Sequence, residues 1–294
     1  MANRELPDTI LEGLGIPECP RWHDGRLYFS DMMTGLVSVI DESGSREILA
    51  RLPDAPAGLG WLPDGRLAVV LMGGRKLVAL HDGEIEDVLD LSDVHWAGYN
   101  EMLIDAAGRA YIGSYPSLPA GTTKEGLIEA LAVSKSSELI LIDLITGAVP
   151  VVLPGVLARP NGMVISDEGS VLVVAETVGQ KLTQFNIAEN GMLTDREVWA
   201  ELDFYPDGLC MDAEGCIWVA SPITSRGCHR IERGGRLLES IWQAGSSSTY
   251  ACALGGDDRR TLFLMEGAQP PPDASDRSGR ISAVRVDVPG VGMP

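Results

Sequence analysis

The sequence predicts an all-β fold, a six-bladed β-propeller with four-stranded blades, as a single domain over residues 1–294. Three observations carry this. One phrase, an apolar stretch followed by a D/G-rich turn and a β-rich run, occurs six times. Taking Gly25 to Arg260 as the span between equivalent turn points, the five intervals average 47 residues, enough for four strands each. Further strand-like segments follow the phrase, whereas only Thr122–Val133 reads as helical.

In chain order the phrase reads WHDGRLYFSD from Trp22, WLPDGRLAVVL from Trp61, IDAAGRAYIGS from Ile104 and ISDEGSVLVVAE from Ile165. It returns as MDAEGCIWVAS from Met211 and, more weakly, as LGGDDRRTLFLME from Leu254. Each is two short strands around a hairpin, because D-G and similar pairs supply the positive φ that tight turns need. Outer strands follow as QKLTQFNIAE and REVWAEL in the fourth unit, and as RGCHRIER and RLLESIW in the fifth. The sixth unit lacks an outer strand before the chain ends. The stretch Glu5–Leu14 can supply it, closing the ring by pairing the N-terminal strand into the last blade.

Composition narrows the functions. With 42 acidic against 23 basic residues, the net charge of −19 argues against nucleic acid and anionic membranes and is compatible with cations. The N-terminus shows no secretory pattern, and no run of roughly 18 apolar residues predicts a span. Five cysteines without C-x-x-C pairing read as reduced thiols, so a cytoplasmic location is expected. P-loop, G-x-S-x-G and H-E-x-x-H motifs are absent.

A propeller is a scaffold, so function must come from what faces its central channel. Counting back seven or eight residues from each equivalent point gives Glu18, Gly58, Asn100, Asn161, Asp207 and Cys252. Two carboxylates and two carboxamides from four blades then converge at one level around the axis. Carboxylates in a narrow channel need compensating charge. Oxygen-only donors favour a hard cation such as Ca2+. A lone N-G (Asn161-Gly162) or D-G (Asp207-Gly208) also reads as a turn; here each leads into an apolar strand.

The segments PECPRW (Pro17–Trp22), RPNGMVISDEG (Arg159–Gly169), YPDGLCMDAEGCIWVAS (Tyr205–Ser221) and ACALGGDDRRTLFL (Ala251–Leu264) carry a resemblance. Together they resemble the gluconolactonase/regucalcin (senescence marker protein)/luciferin-regenerating enzyme family, over nearly the whole chain. The resemblance implies a six-bladed propeller with one catalytic divalent metal and lactone hydrolysis. It implies Glu18, Asn161 and Asp207 as metal ligands, with Asn100 as ligand or substrate contact. Ca2+ is the expected ion, with Zn2+, Mg2+ or Mn2+ as alternatives. Two departures stand out. Sugar-lactonase members commonly carry an arginine two residues before the asparagine that here is Asn100, and this chain has Gly98 there. The entry usually of Glu-Gly-Pro type is Glu18-Cys19-Pro20, where Cys19 is a packed small residue or a reactive thiol.

The interval from Gly108 to Gly169 is 61 residues, and the excess falls at about 115–136. This insertion opens on the ligand-bearing face. Trp96, Tyr99, Tyr115, Leu118 and Leu127 could wall or cover the mouth there, for a substrate larger and more apolar than a sugar lactone; the other reading is an ordinary surface excursion. Of the histidines, His23 belongs at the far face, His81 and His229 in outer contexts, and only His95 near the mouth.

The expected activity is metal-dependent opening of a lactone, a small-molecule cyclic ester. Asp207 orients or deprotonates the water, Glu18 and Asn161 hold the metal, and Asn100 positions the ring oxygen or carbonyl. The alternatives are an organophosphate or aryl-ester hydrolase on the same metal site, and a non-enzymatic calcium- or ligand-binding propeller.

Overall fold

The structure, a computed structural model, describes residues 6–116, 126, 129–130, 137–166, 168–242, 247–268, 273 and 275–292. Every repeated phrase forms the hairpin expected of it. β1 (Asp8–Leu14) precedes blade one, which is β2 (Pro17–His23), β3 (Arg26–Asp31), β4 (Leu36–Ile40) and β5 (Arg46–Arg51). Blade two is β6 (Pro56–Trp61), β7 (Leu67–Leu71), β8 (Lys76–His81) and β9 (Glu84–Asp90). Blade three is β10 (Gly98–Ile104), β11 (Arg109–Tyr115), β12 (Leu139–Asp143) and the short β13 (Val151–Val152). Blade four is β14 (Pro160–Ile165), β15 (Val171–Glu176), β16 (Lys181–Ile187) and β17 (Leu193–Glu201). Blade five is β18 (Leu209–Met211), β19 (Ile217–Ser221), β20 (Gly227–Ile231) and β21 (Leu237–Trp242). Blade six is β22 (Ser248–Gly255), β23 (Thr261–Gly267) and β24 (Gly279–Arg285), completed by β1.

All six sheets are antiparallel meanders, and the innermost strands β2, β6, β10, β14, β18 and β22 touch in succession around a ring that returns to β2. The ring closes as expected. β1 pairs with β24 from Asp8 opposite Ala283 to Leu14 opposite Gly279, so the last blade is held by both ends of the chain.

The core is divided accordingly. Six apolar clusters lie between neighbouring blades, one at each junction. Second strands are buried on both faces, as in LAVVL of β7 and IWVAS of β19, because each blade is a middle layer between two others. Each large aliphatic or aromatic side chain so buried contributes about 1.5–3 kcal/mol. The apolar material thus sits in wedges around the axis, and the axis is left to polar groups.

The insertion joins β11 to β12, opening at Tyr115 beside Gly98 of β10. Most of it, including Leu118, Leu127 and most of the expected helix at 122–133, lies outside the described residues. Within that stretch, the Ala130 N–H donates to the Gly126 carbonyl at 2.9 Å, one helical turn.

Candidate active site

One irregularity recurs in the inner strands and builds the site. Cross-strand register slips between Glu18 and Arg21 in β2, Pro56 and Leu59 in β6, and Tyr99 and Met102 in β10. It slips again between Pro160 and Met163 in β14 and between Thr249 and Ala251 in β22. These bulges re-aim side chains near the strand entrance toward the axis. In blade five the same place precedes β18: the Asp207 N–H donates to the Ala220 carbonyl at 2.9 Å, and the Ala220 N–H returns to the Gly208 carbonyl at 3.0 Å.

Aligned through these registers, the equivalent residues are Glu18, Ala57, Asn100, Asn161, Asp207 and Tyr250. Two members of the set expected from sequence are therefore displaced. Gly58 lies one residue past the position, and Cys252 lies two past it, buried between blades five and six. Counting back from the turn carries over the turn's own length, which differs among blades; the second strand's register does not.

The N-G and D-G pairs here are close approaches between blades rather than turns. A Cβ at Gly162 would lie 2.5 Å from the Asp207 carbonyl oxygen and 2.6 Å from the Leu209 nitrogen. The Gly162 N–H instead donates to that carbonyl at 3.1 Å, tying the Asn161 strand to the Asp207 entrance.

The four oxygen-bearing residues are all buried. Asn100 Nδ2 and Asn161 Oδ1 are 3.4 Å apart, and the Asn161 side chain is hydrogen-bonded to Asp207. Asp207 Oδ1 is fully buried and accepts no hydrogen bond among the described residues. Burial pushes the Glu18 carboxyl well above its usual range, and the charges of Asp207 and Glu101 push it further; the Cys19 N–H and Arg21 pull it back. Burial raises Asp207 in the same way, followed by the Glu101 charge, against Arg159 and Asn161. Two carboxylates thus face each other in a low-dielectric channel, each opposing the other's ionisation.

Sequence reasoning missed four neighbours. Beneath the site, Arg21 pairs with Glu101 at 2.9 Å and donates to the carbonyls of Pro20, Leu59 and Met102. All these atoms are buried, and Arg21 offsets part of the Glu101 charge that bears on Glu18 and Asp207. Tyr250 holds the blade-six place, its hydroxyl donating to the Ala268 carbonyl and held protonated first by burial, then by Asp207 and Glu18. Arg159 is buried with φ +65° and stacks over the Tyr115 ring at 3.8 Å. Its signal was present in the sequence. Arg159 stands two residues before Asn161, as Gly98 stands two before Asn100, so the arginine missing from one blade occurs at the same place in the next.

The expected substrate wall divides. Trp96 is exposed and, with Tyr115, lines a cavity of about 450 Å3 beside the channel mouth. Tyr99 does not line it. Adjacent strand residues point to opposite faces, and Tyr99 packs wholly in the cluster between blades two and three, its hydroxyl donating to the Leu91 carbonyl at 2.9 Å. His95 has both ring nitrogens engaged: Nδ1 accepts from the Ala97 N–H at 3.1 Å, so Nε2 donates to Glu138 at 2.8 Å. That arrangement pins a loop. His23 stacks on Trp61 beside the β2–β3 turn, at the far end of the blade from Glu18. Cys19 is buried at φ +50°, and burial keeps its thiol protonated.

The donor chemistry fits a hard cation. Among the described residues no three His, Cys, Asp or Glu side chains group to hold a metal. The set here is instead two carboxylates and two carboxamides, with an orphaned Asp207 oxygen and two mutually opposed charges that a dication would compensate.

The sequence model of the SMP-30/Gluconolactonase/LRE-like region matches residues 16–267. The chain is 26% identical over 291 residues to pentonolactonase XacC of Haloferax volcanii, covering 94% of this chain and 92% of that one. It superposes on a luciferin-regenerating enzyme with a TM-score of 0.79 at 16% identity, over 97% of both chains. Regucalcin, a calcium-binding protein of Agrobacterium tumefaciens, gives a TM-score of 0.78 at 17% identity, over 98% of this chain and 97% of that chain.

Proposed function

From the premise that the chain belongs to the SMP-30/gluconolactonase/LRE-like family, we propose that it is a divalent-metal-dependent lactonase. The observation that carries this is the pair of buried, mutually opposed carboxylates Glu18 and Asp207, set among Asn100 and Asn161 at equivalent bulges of four blades. The lactonase relative supports the reaction class, and the calcium-binding neighbour supports Ca2+ over Zn2+, Mg2+ or Mn2+.

Glu18, Asp207, Asn161 and Asn100 would hold the ion. Bound there, it supplies charge compensation and Lewis-acid polarisation of the ester carbonyl. The protein's own residues do the rest. Asn161 orients the Asp207 carboxylate through their side-chain hydrogen bond. Asp207 Oδ1 accepts a hydrogen bond from the attacking water and aligns it with the carbonyl carbon. The Asn100 amide positions the ring oxygen or carbonyl, and its contact with Asn161 fixes the amide plane. Arg21 pairs with Glu101 beneath them, which limits the negative charge around the ion.

The test is turnover of a lactone and ester panel with and without chelator, in the wild type and in Asp207→Asn. We expect calcium-restored lactone hydrolysis, lost by about 10^3-fold or more in Asp207→Asn while the circular dichroism is unchanged. Metal binding without any turnover would instead identify a calcium-binding propeller. Turnover that survives exhaustive chelation would overturn metal dependence.

A further inference from the structure

Beside the candidate site lies a cavity of about 450 Å3 lined by Met72, Gly73, Arg75, Trp96, Gly98, Tyr115 and Arg159. Its volume is within the range of small-molecule pockets. Among the described residues the lining includes two arginines and no Asp or Glu, in a chain with 42 acidic against 23 basic residues. We propose that Arg159 and Arg75 form an anion-recognition subsite, and that the substrate is a lactone bearing a carboxylate group. This rests on the lactonase reading for its reaction but not for its binding chemistry.

Arg159 is built into place. It is 1% exposed, its guanidinium stacks on Tyr115, and its Nη1 donates to the Pro116 carbonyl at 3.0 Å. Tyr115 pairs with Gly98, so the guanidinium stands beside the position where blade three has no side chain. That gap is enforced. A Cβ at Gly98 would lie 2.8 Å from the Met72 carbonyl oxygen, part of the cavity's own wall. The cation therefore reaches the mouth from blade four, close enough to Asp207 to oppose the burial that raises its carboxyl. Arg75 lines the same cavity just before β8, with Nη1 donating to the His95 carbonyl at 3.2 Å.

The surrounding charges leave the cavity positive once an ion is bound. Glu18 and Asp207 together offset a dication, and Glu101 is offset by Arg21. Asp90 feels Arg75, and Asp54 is engaged by the Gly74 N–H, but neither lines the cavity. A planar guanidinium fork suits a carboxylate, and Trp96, Tyr115 and Met72 suit the carbon frame that carries it. A polyhydroxylated ring would present no charge to either arginine.

Three ligands decide it: γ-butyrolactone-γ-carboxylic acid, its carboxamide, and the non-hydrolysable lactam of the acid. With the calcium-loaded full chain, we expect kcat/KM for the acid to exceed that for the amide by about tenfold or more. The ratio should fall toward one in Arg159→Gln and partly in Arg75→Gln, and should shrink with added salt. A ratio near one in the wild type, or a ratio unchanged in both variants, overturns the proposal. Because Arg159 is buried, Arg75→Gln provides a variant that does not remove a core contact. Calorimetry with the lactam separates the two readings. Arginine-dependent lactam binding with neither lactone hydrolysed refutes the lactonase reading and keeps the anion subsite; absence of lactam binding refutes the subsite whatever the turnover.

Discussion

His229 shows how far a side chain's chemistry depends on its surroundings. In β20 it lies between Phe204 and Trp242, with Nε2 against Ser225 Oγ at 2.8 Å and Nδ1 against Ser240 Oγ at 2.9 Å. Burial lowers its pKa to about 4, outweighing the opposing influence of Asp203 and Ser225. The unfolded chain therefore binds a proton below about pH 6.5 that the native protein refuses until about pH 4. Stability is full above the unfolded value and is lost as pH falls through this window, by about 2–3 kcal/mol at pH 4.5. His229→Gln should flatten that slope in urea titrations at pH 7 and 4.5; an unchanged slope would assign the acid sensitivity elsewhere. The outer-strand context of His229 was legible in its phrase, but its neutrality was not, because desolvation comes from residues far along the chain. Tyr99 teaches the same lesson. Its place beside Asn100 suggested the mouth, and the pleat turned it into the core.

At the scale of the element, the inner-strand bulge controls the site. It lifts one side chain per blade out of the period-two alternation and lets the next blade's backbone approach. Gly162→Ala should consequently separate blades four and five at Asn161 and Asp207. We expect a cost of about 1–3 kcal/mol and a clear loss of calcium affinity. Gly169→Ala is the control: its φ of +69° makes it costly by about 1–2 kcal/mol, yet a Cβ there meets open space, and calcium affinity should be retained. Calorimetric titration of both variants checks this; equal calcium binding would mean that the bulge does not set the site. The repeated phrase made the hairpins readable from sequence. The bulge was not readable, since its signal is a register slip rather than a residue type, and without it as a reference the unequal turns misaligned Gly58 and Cys252.

At the scale of the molecule, stability depends on closure. Leu14 of β1 is fully buried in the cluster between blades six and one, and β1 covers the edge of β24. Leu14→Ala should cost about 2–5 kcal/mol. Removing residues 1–14 should expose the β24 edge and promote self-association, visible by size-exclusion chromatography beside a lower melting temperature. A truncated chain that remains monomeric and equally stable would show that the ring does not need its clasp.

The sequence by itself determined the number of blades, the hairpins within them, the closing strand and the four oxygen-bearing residues, because each follows from a local pattern repeated at a regular interval. Tertiary structure alone decided that Ala57 and Tyr250, rather than Gly58 and Cys252, share the level of these four around the axis, and which histidines are spent on packing. Those depend on register and on contacts between blades, and a side chain's charge and direction are set by neighbours that the chain brings together only when the ring closes.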